Sequence, residues 1–375
     1  MDLLIHDLSN EEWNRISDSY KDWTVISDND GIKPCIGCFR CWTGGEGTCV
    51  LKDGYENMGT LIHQADEVVI MSRYTWGGFS SFVKNVFDRC LGYVLPEFET
   101  AYGEMHHKKR YPEDKPVTFI FRDSNLSETE KGKARNYVSA VCRNLRGVVK
   151  DVRFEECEDR PEPARKTGPE ERSGILLVNG SIRGERSNTG VLLKQLQTYF
   201  DEPVKTVTLA ANGDTAAIAD AVNRAQTVIL GIPLYVDGIP ASALRLMETV
   251  DACQEGTCRV YAVVNNGLYE SRQNVNLLNM IRDWSKEKGF RYSGALAVGA
   301  GEVIGTLMRD TKHILWPANN TLDGLKRLRD AVLNNTETED IYADPYRFPR
   351  WLYILIANTN WQRLKAVEQR RRSNT

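Results

Sequence analysis

The sequence predicts an α/β protein of two tandem doubly wound sheets, each parallel, five-stranded, ordered 2-1-3-4-5 and flanked by helices. Two observations carry this. In the second half, short apolar runs alternate with segments of helical period. In the first half, one stretch echoes a unit of the second without a gap. YTWGGFSSFVK (74–84) against YVDGIPASALR (235–245) aligns Tyr74 with Tyr235, Gly77 with Gly238, Ser81 with Ser242 and Lys84 with Arg245.

The second half is read first. ILLVNG (175–180) is apolar and ends in Gly, as a buried parallel strand does, and TGVLLKQLQTYF (189–200) has helical period. VKTVTL then precedes TAAIADAVNRA, TVILGIPLY precedes SALRLMETVDA, RVYAVVNN precedes NVNLLNMIRDWSKEKG, and YSGALAVGA precedes TLDGLKRLRDAVLN. Such alternation implies right-handed crossovers. In the first half DLLIHDL, WTVISD, EVVIMSRY, VTFIFRDS and GVVKDVRF are the strands, and the echo marks a diverged duplication. The domains are 1–154 and 174–340. The segment between them, 155–173, is charged, rich in proline and aperiodic, and reads as a linker. Residues 341–375 form a C-terminal helical extension. Its aromatic and aliphatic residues suit packing over the second domain or a partner subunit, and QRRRSNT reads as a solvated tail.

A chain of 375 residues with 41% hydrophobic and 26% charged residues is expected to be soluble and globular, with room for two domains. Its net charge of -3 gives no general attraction to nucleic acid or membrane. MDLLIHDLSNEEW turns acidic after a short apolar stretch and reads as neither a signal nor a transit peptide. WLYILIAN (351–358) is too short to span a bilayer. The expected compartment is a reducing cytoplasm, where clustered cysteines bind metal or do redox chemistry more often than they form disulfides.

Three loops share the carboxyl edge of the second sheet. In GSIRGERSNTG (180–190), Gly180 permits a tight turn. Ser181, Ser187, Asn188 and Thr189 stand where a helix begins, and Arg183 and Arg186 add charge. That is phosphate-binding chemistry, with an ordinary Ser/Asn-rich helix cap as the alternative. It is neither a Walker loop nor a G-x-G-x-x-G fingerprint. GIPLYVDGIPA (231–241) offers Pro233, Leu234, Tyr235 and Val236 as an apolar and aromatic face. NNGLYES (265–271) offers Asn265, Asn266 and Gly267 as polar partners. One loop for phosphate, one for stacking and one for a heterocycle edge make a mononucleotide site, which suggests FMN.

CIGCFRC (35–41) with Cys49 gives C-x2-C-x2-C-x7-C. The spacing gathers three thiolates on one turn, with Cys49 as a fourth. It suits a 4Fe–4S cluster better than zinc, whose structural sites use two separated pairs. The alternative is that these cysteines pack as small hydrophobes. His106 and His107, in GEMHHKKRY, read as part of a polar surface loop or as metal or substrate ligands. Tyr74, Trp76 and Phe79 would stack on a ring, plug a vacated pocket or line an interface. His6 and His313 have no partner visible in the sequence.

Through GSIRGERSNT and IPLYVDGIPASALRLME the second half resembles the NADPH-dependent FMN reductase family of flavodoxin-like proteins. From CIGCFRCW through ADEVVIMSRYTWGGFSSFVKNVFDR the first half resembles flavodoxin-family oxidoreductases that include the iron–sulfur flavoproteins. The resemblance implies an enzyme that takes hydride from NAD(P)H onto FMN and passes electrons to a quinone, a free flavin or another small acceptor. It implies no catalytic side chain. On the same resemblance Cys35, Cys38, Cys41 and Cys49 would hold a 4Fe–4S cluster that feeds electrons to a flavin, which makes an electron carrier the alternative function. A non-catalytic binding module is the third. Flavodoxin-like reductases commonly dimerise, and a homodimer is compatible with each reading. The first half departs from the family in HDLSNEEWNRI (6–16), where only Ser9 and Asn10 remain for phosphate. The second departs in ANGDT (211–215), which stands where the first has its cysteines.

Overall fold

The computed structural model describes residues 1–28, 31–157, 172–210, 214–253, 256–309 and 316–373. Most of the linker expected at 155–173, residues 211–213 of ANGDT, and His313 lie outside them. The chain divides into two compact units, Met1–Arg160 with Ile354–Thr375, and Pro161–Tyr353.

In the first unit β1 (Leu3–His6) leads to α1 (Asn10–Ile16) and β2 (Thr24–Ser27). The cysteine segment follows, with α2 (Arg40–Thr43) inside it. Then come α3 (Met58–Gln64), β3 (Val68–Arg73) and α4 (Ser81–Arg89). A hairpin of β4 (Val94–Ala101) and β5 (Glu104–Lys109) precedes β6 (Pro116–Arg122), α5 (Glu128–Asn144) and β7 (Val148–Glu155). The parallel sheet runs β2-β1-β3-β6-β7, with the hairpin as a separate two-stranded sheet. Counting only the strands of the parallel sheet, this is the 2-1-3-4-5 order of flavodoxin-like folds.

The second unit carries β8 (Ile175–Asn179), α6 (Asn188–Gln197), β9 (Lys205–Thr208), α7 (Thr215–Arg224), β10 (Thr227–Pro233) and α8 (Ala241–Thr249). It continues with β11 (Arg259–Asn265), α9 (Val275–Glu287), β12 (Arg291–Val298), α10 (Gly301–Arg309), α11 (Asn319–Leu333) and β13 (Ile341–Ala343). Its sheet, β13-β12-β11-β10-β8-β9, repeats the same order with one strand more than the five expected. The extra strand pairs parallel to β12 and comes from the segment read as the start of the helical extension. All seven residues of β10 are buried, as a central strand covered on both faces requires.

The internal echo is present in the backbone, but one residue out of the register that the identities suggested. Thr75 and Gly78 exchange backbone hydrogen bonds at 3.0 and 2.9 Å, and Tyr235 and Gly238 do so at 3.1 Å each. The central residues Trp76, Gly77, Val236 and Asp237 all have positive φ. Thr75 is therefore the counterpart of Tyr235, and Gly78 of Gly238. The turn, not the residue type, is what the two units share: two central residues at positive φ make a type I′ connection. Tyr74, Trp76 and Phe79 are buried, and Phe79 packs against Phe87, Phe119, Phe121 and Tyr137, so this segment belongs to the core.

GEMHHKKRY is not a surface loop. His106 and His107 lie on β5, whose turn to β4 uses Tyr102 and Gly103, both at positive φ. His106 is buried, with Nδ1 2.6 Å from Asn144 Oδ1. The final helix, α12 (Arg350–Ser373), was expected over the second domain or a partner. From Ile354 onward its residues group with the first unit. Asn358 brackets Phe98 of β4, accepting its N–H at 2.7 Å and donating to its carbonyl at 3.0 Å, and Lys365 pairs with Glu97.

Candidate functional site

In the second unit the predicted phosphate loop follows β8 directly. Asn179, the last residue of the strand, shapes it: its Oδ1 accepts from Ser181 N at 3.1 Å and its Nδ2 donates to Gly184 O at 3.0 Å. Ser187 caps α6, accepting from Gly190 N at 2.9 Å while its hydroxyl donates to Gly184 O at 2.6 Å. Gly190 is required here, since a Cβ would lie 2.9 Å from Glu185 O. Gly180 donates its N–H to Gly231 O at 2.7 Å, which closes the loop's base against β10. Ser181, Ser187, Asn188 and Thr189 are buried, while Arg183 and Arg186 are exposed.

The three predicted loops meet through Asn265. Thr189 Oγ1 donates to Asn265 Oδ1 at 2.7 Å, and Leu234 N donates to Asn265 O at 2.7 Å. Pro233 is buried, and Leu234, Tyr235 and Val236 are half-buried beside the turn. Asn266 Nδ2 donates to Glu270 O at 2.9 Å, and Gly267 O accepts from Tyr353 Oη at 2.7 Å. The arrangement lies between β8 and β10, the point where connections leave the sheet in opposite directions and where ligands of such sheets bind. Sequence reasoning missed α10. Gly305 packs so closely on Asn188 that a Cβ would come within 2.3 Å of its Oδ1. Arg309 Nη2 donates to Asn188 Oδ1 at 2.7 Å and to Arg186 O at 3.0 Å. The small residues of GEVIGTLMR were the available signal. The hydroxyls of Ser187 and Thr189 thus hold the loops together, and three arginines supply the positive charge.

The same edge of the first unit is filled from within. Ser9 and Glu12 form a capping box at α1, with Ser9 N donating to Glu12 Oε2 at 2.8 Å and Glu12 N donating to Ser9 Oγ at 3.3 Å. Arg122 Nη1 donates to Glu12 Oε1 at 2.8 Å. A carboxylate of the chain therefore holds the helix terminus where a phosphate would bind. His6, for which the sequence showed no partner, accepts from Leu8 N at 3.2 Å and stacks on Trp13 at 4.5 Å.

Cys35, Cys38, Cys41 and Cys49 line one cavity with Asp88, Arg89 and Leu91. It measures about 20 Å³, room for about one water molecule. Gly37, with φ 63°, turns the chain so that its N–H donates to Cys35 Sγ at 3.4 Å. All four cysteines are free thiols. Burial, then Asp88 and the neighbouring sulfurs, pushes Cys35 up to about 12; burial, then Cys49 and Cys38, does the same for Cys41. Among the described residues no three His, Cys, Asp or Glu side chains are placed to share a single metal ion. An aromatic group packs on the motif: Phe39 and Trp42 stack at 5.4 Å, Trp361 meets both edge-on, and His107 lies 4.7 Å from Trp42. Trp42 Nε1 donates to Leu91 O at 2.7 Å.

No family model matches this chain, and no curated protein matches it. Among solved structures it is similar to one titled "The Structure of Trp Repressor Binding Protein from Bacillus subtilis". The identity is 16%, the match covers 41% of this chain and 96% of that one, and the TM-score is 0.30. The flavodoxin-like fold class rests on strand order and register. No helix among the described residues is long and apolar enough to cross a membrane.

Proposed function

We propose that this chain is an FMN-dependent NAD(P)H oxidoreductase whose second unit holds the flavin and whose acceptor is a small molecule such as a quinone or free flavin. The observation that carries this reading is the convergence of three loops on Asn265 at the switch point of the second sheet. When bound, FMN supplies the ring that accepts hydride. Gly180 through Thr189 and the start of α6 favour the phosphate, with Arg183 and Arg186 adding charge from the exposed rim. Pro233, Leu234, Tyr235 and Val236 offer the ring a face that excludes water. Asn265, Asn266 and Gly267 offer its polar edge hydrogen bonds. No side-chain proton donor is needed for hydride transfer, and none is assigned.

Titration of flavin-free protein with FMN, followed by quenching of flavin fluorescence, tests this. Saturable binding is expected, with loaded protein oxidising NADH or NADPH when a quinone is present. Replacing Arg183 and Arg186 together by Ala removes exposed charge without disturbing the buried bonds. It should weaken FMN about tenfold, which corresponds to about 1.4 kcal/mol. Absence of FMN binding by the unaltered protein would sink the reading.

A second reading is favoured by the cysteine cavity: an electron carrier with an iron–sulfur cluster in the first unit. The four-thiol donor set has the chemistry of such a cluster, and Arg89, whose buried Nε has no hydrogen-bond partner among the described residues, is one of the residues that line the cavity. The thiols must move outward to admit it. Iron, sulfide and FMN measured on one anaerobic sample decide between the readings.

A further inference from the structure

We infer that Arg309, at the end of α10, is a specificity-determining residue of the second unit's site: it orients Asn188 in the proposed phosphate loop and supplies charge that selects a phosphomonoester dianion over an uncharged flavin. The inference rests on the FMN reading.

α10 joins two of the three loops. At its start Gly301 N donates to Asn266 O at 2.8 Å. Gly305 lies against Asn188, where any Cβ would meet the Oδ1. At its end Arg309 Nη2 donates to Asn188 Oδ1 at 2.7 Å and to Arg186 O at 3.0 Å. Asn188 is the first residue of α6 and follows its cap, Ser187. One side chain therefore fixes the amide at the helix start and the carbonyl that precedes the cap. Arg309 is exposed, and its N–H groups on Nη1 and Nε have no hydrogen-bond partner among the described residues. A guanidinium is donor only, so these groups remain for an acceptor on a ligand.

The charges gathered here favour an anion. A cation at the end of α10 suits that helix's own dipole, but this one also meets the positive start of α6. Arg183 and Arg186 stand on the same loop. Burial lowers the Arg309 pKa, and Arg183 adds to this against the raising effect of Glu302. Glu302 lies at the other end of α10, Glu185 shares the loop, and α6 carries one charged residue, Lys194 in its last turn. Among the described residues no carboxylate forms an ion pair with Arg186 or Arg309. Like charges collected at one helix start repel, and a bound anion relieves the repulsion. A phosphomonoester brings a charge of about −2 above its second pKa of about 6. The same flavin without its phosphate brings none.

The test uses the full chain in flavin-free form, titrated with FMN and with riboflavin at about pH 5 and about pH 7.5 in low salt. Flavin fluorescence reads both affinities, and melting curves show whether each variant is folded. The unaltered protein should bind FMN about a hundredfold tighter than riboflavin at the higher pH. Its FMN affinity should rise about tenfold between the two pH values as the phosphate loses its second proton, with riboflavin affinity unchanged. Arg309→Gln keeps a donor for Asn188 and removes the charge. It should weaken FMN by about tenfold, leave riboflavin unaltered and lose most of the gain with pH. Arg309→Lys should restore that gain. A folded Arg309→Gln protein with an unchanged preference for FMN and an unchanged gain would overturn the inference. Weaker FMN at an unchanged gain would make Arg309 a residue that only orders the loop, and would also overturn it. An unaltered protein that binds both flavins equally, or whose FMN affinity ignores pH, would overturn the inference and leave a flavin site standing, whether or not the variants fold. Binding of neither flavin would sink the FMN reading, and the inference with it.

Discussion

The carboxylate of Asp7 accepts the backbone N–H of Arg73 with both oxygens, each at 3.0 Å. Asp7 follows β1 as Gly180 follows β8: the ladders align His6 with Met71 and Asn179 with Gly231. Where the second unit keeps a glycine at the base of its proposed phosphate loop, the first has a buried carboxyl group. An inward carboxylate at this edge repels a phosphate, and the Glu12 carboxylate already satisfies α1. This is the physical reason to place a flavin in the second unit rather than the first.

Asp7→Asn should be tolerated and should raise stability near neutral pH. Burial raises the Asp7 pKa, against the lowering effects of Ser80 and the Arg73 amide. A carboxylate with a raised folded pKa stabilises the fold where it is protonated, and that contribution is lost as pH rises through the folded value. Asn keeps an acceptor for Arg73 and removes the charge. The variant should therefore gain about 1 kcal/mol at pH 7, a rise in melting temperature of about 2–4 °C for units of this size. The gain should vanish as the wild type is acidified and Asp7 becomes neutral. Melting curves across pH check this, and a loss of stability at pH 7 that does not change on acidification would contradict it.

Val236 carries backbone strain at the proposed flavin face. Its φ is 40°, and Asp237 follows at 60°. A β-branched residue in the left-handed region is an outlier, and such strain gathers at ligand clamps. Asn occupies that position of a two-residue turn readily. Val236→Asn should stabilise the second unit by about 1 kcal/mol. It should weaken FMN if Val236 meets the ring. Calorimetry and a flavin titration on the same variant separate the two effects. No stabilisation would mean that the side chain repays its strain through packing.

The sheets were legible because the central strands are runs such as TVILGIP (227–233), whose burial on both faces needs no context. The β4–β5 hairpin was not, because EMHHKK lacks an apolar alternation. Its buried face is made by partners far along the chain, such as Asn144 against His106 and Asn358 against Phe98. The three loops of the candidate site were legible from residue type at strand ends. Their tie through Thr189 and Asn265 was not, nor was Arg309 on Asn188, since each joins residues distant in sequence. The duplication was legible, but its register was not. Identities at Tyr74 and Gly77 pulled the alignment one residue from the shared turn, where backbone sign matters more than side chain.

His107 should make the first unit sensitive to mild acid. Its ring packs between Trp42 at 4.7 Å and Phe98 at 4.5 Å. Burial lowers its pKa to about 4, against the raising effect of bonds to the Leu95 and Pro96 backbone. An unfolded histidine titrates near about 6.5. Between those values the unfolded chain takes a proton that the folded chain refuses, so stability falls as pH drops through about 6.5 and levels below about 4. The full effect is at most about 3 kcal/mol. His107→Gln keeps a donor for the Leu95 and Pro96 carbonyls and cannot titrate. It should be less stable than the wild type at pH 7.5, and the gap should close as both are acidified toward pH 4. Comparing the two proteins at each pH cancels the carboxylates they share. A gap that stays constant across that range would show that the His107 ring titrates alike in the folded and unfolded chain, and would contradict this.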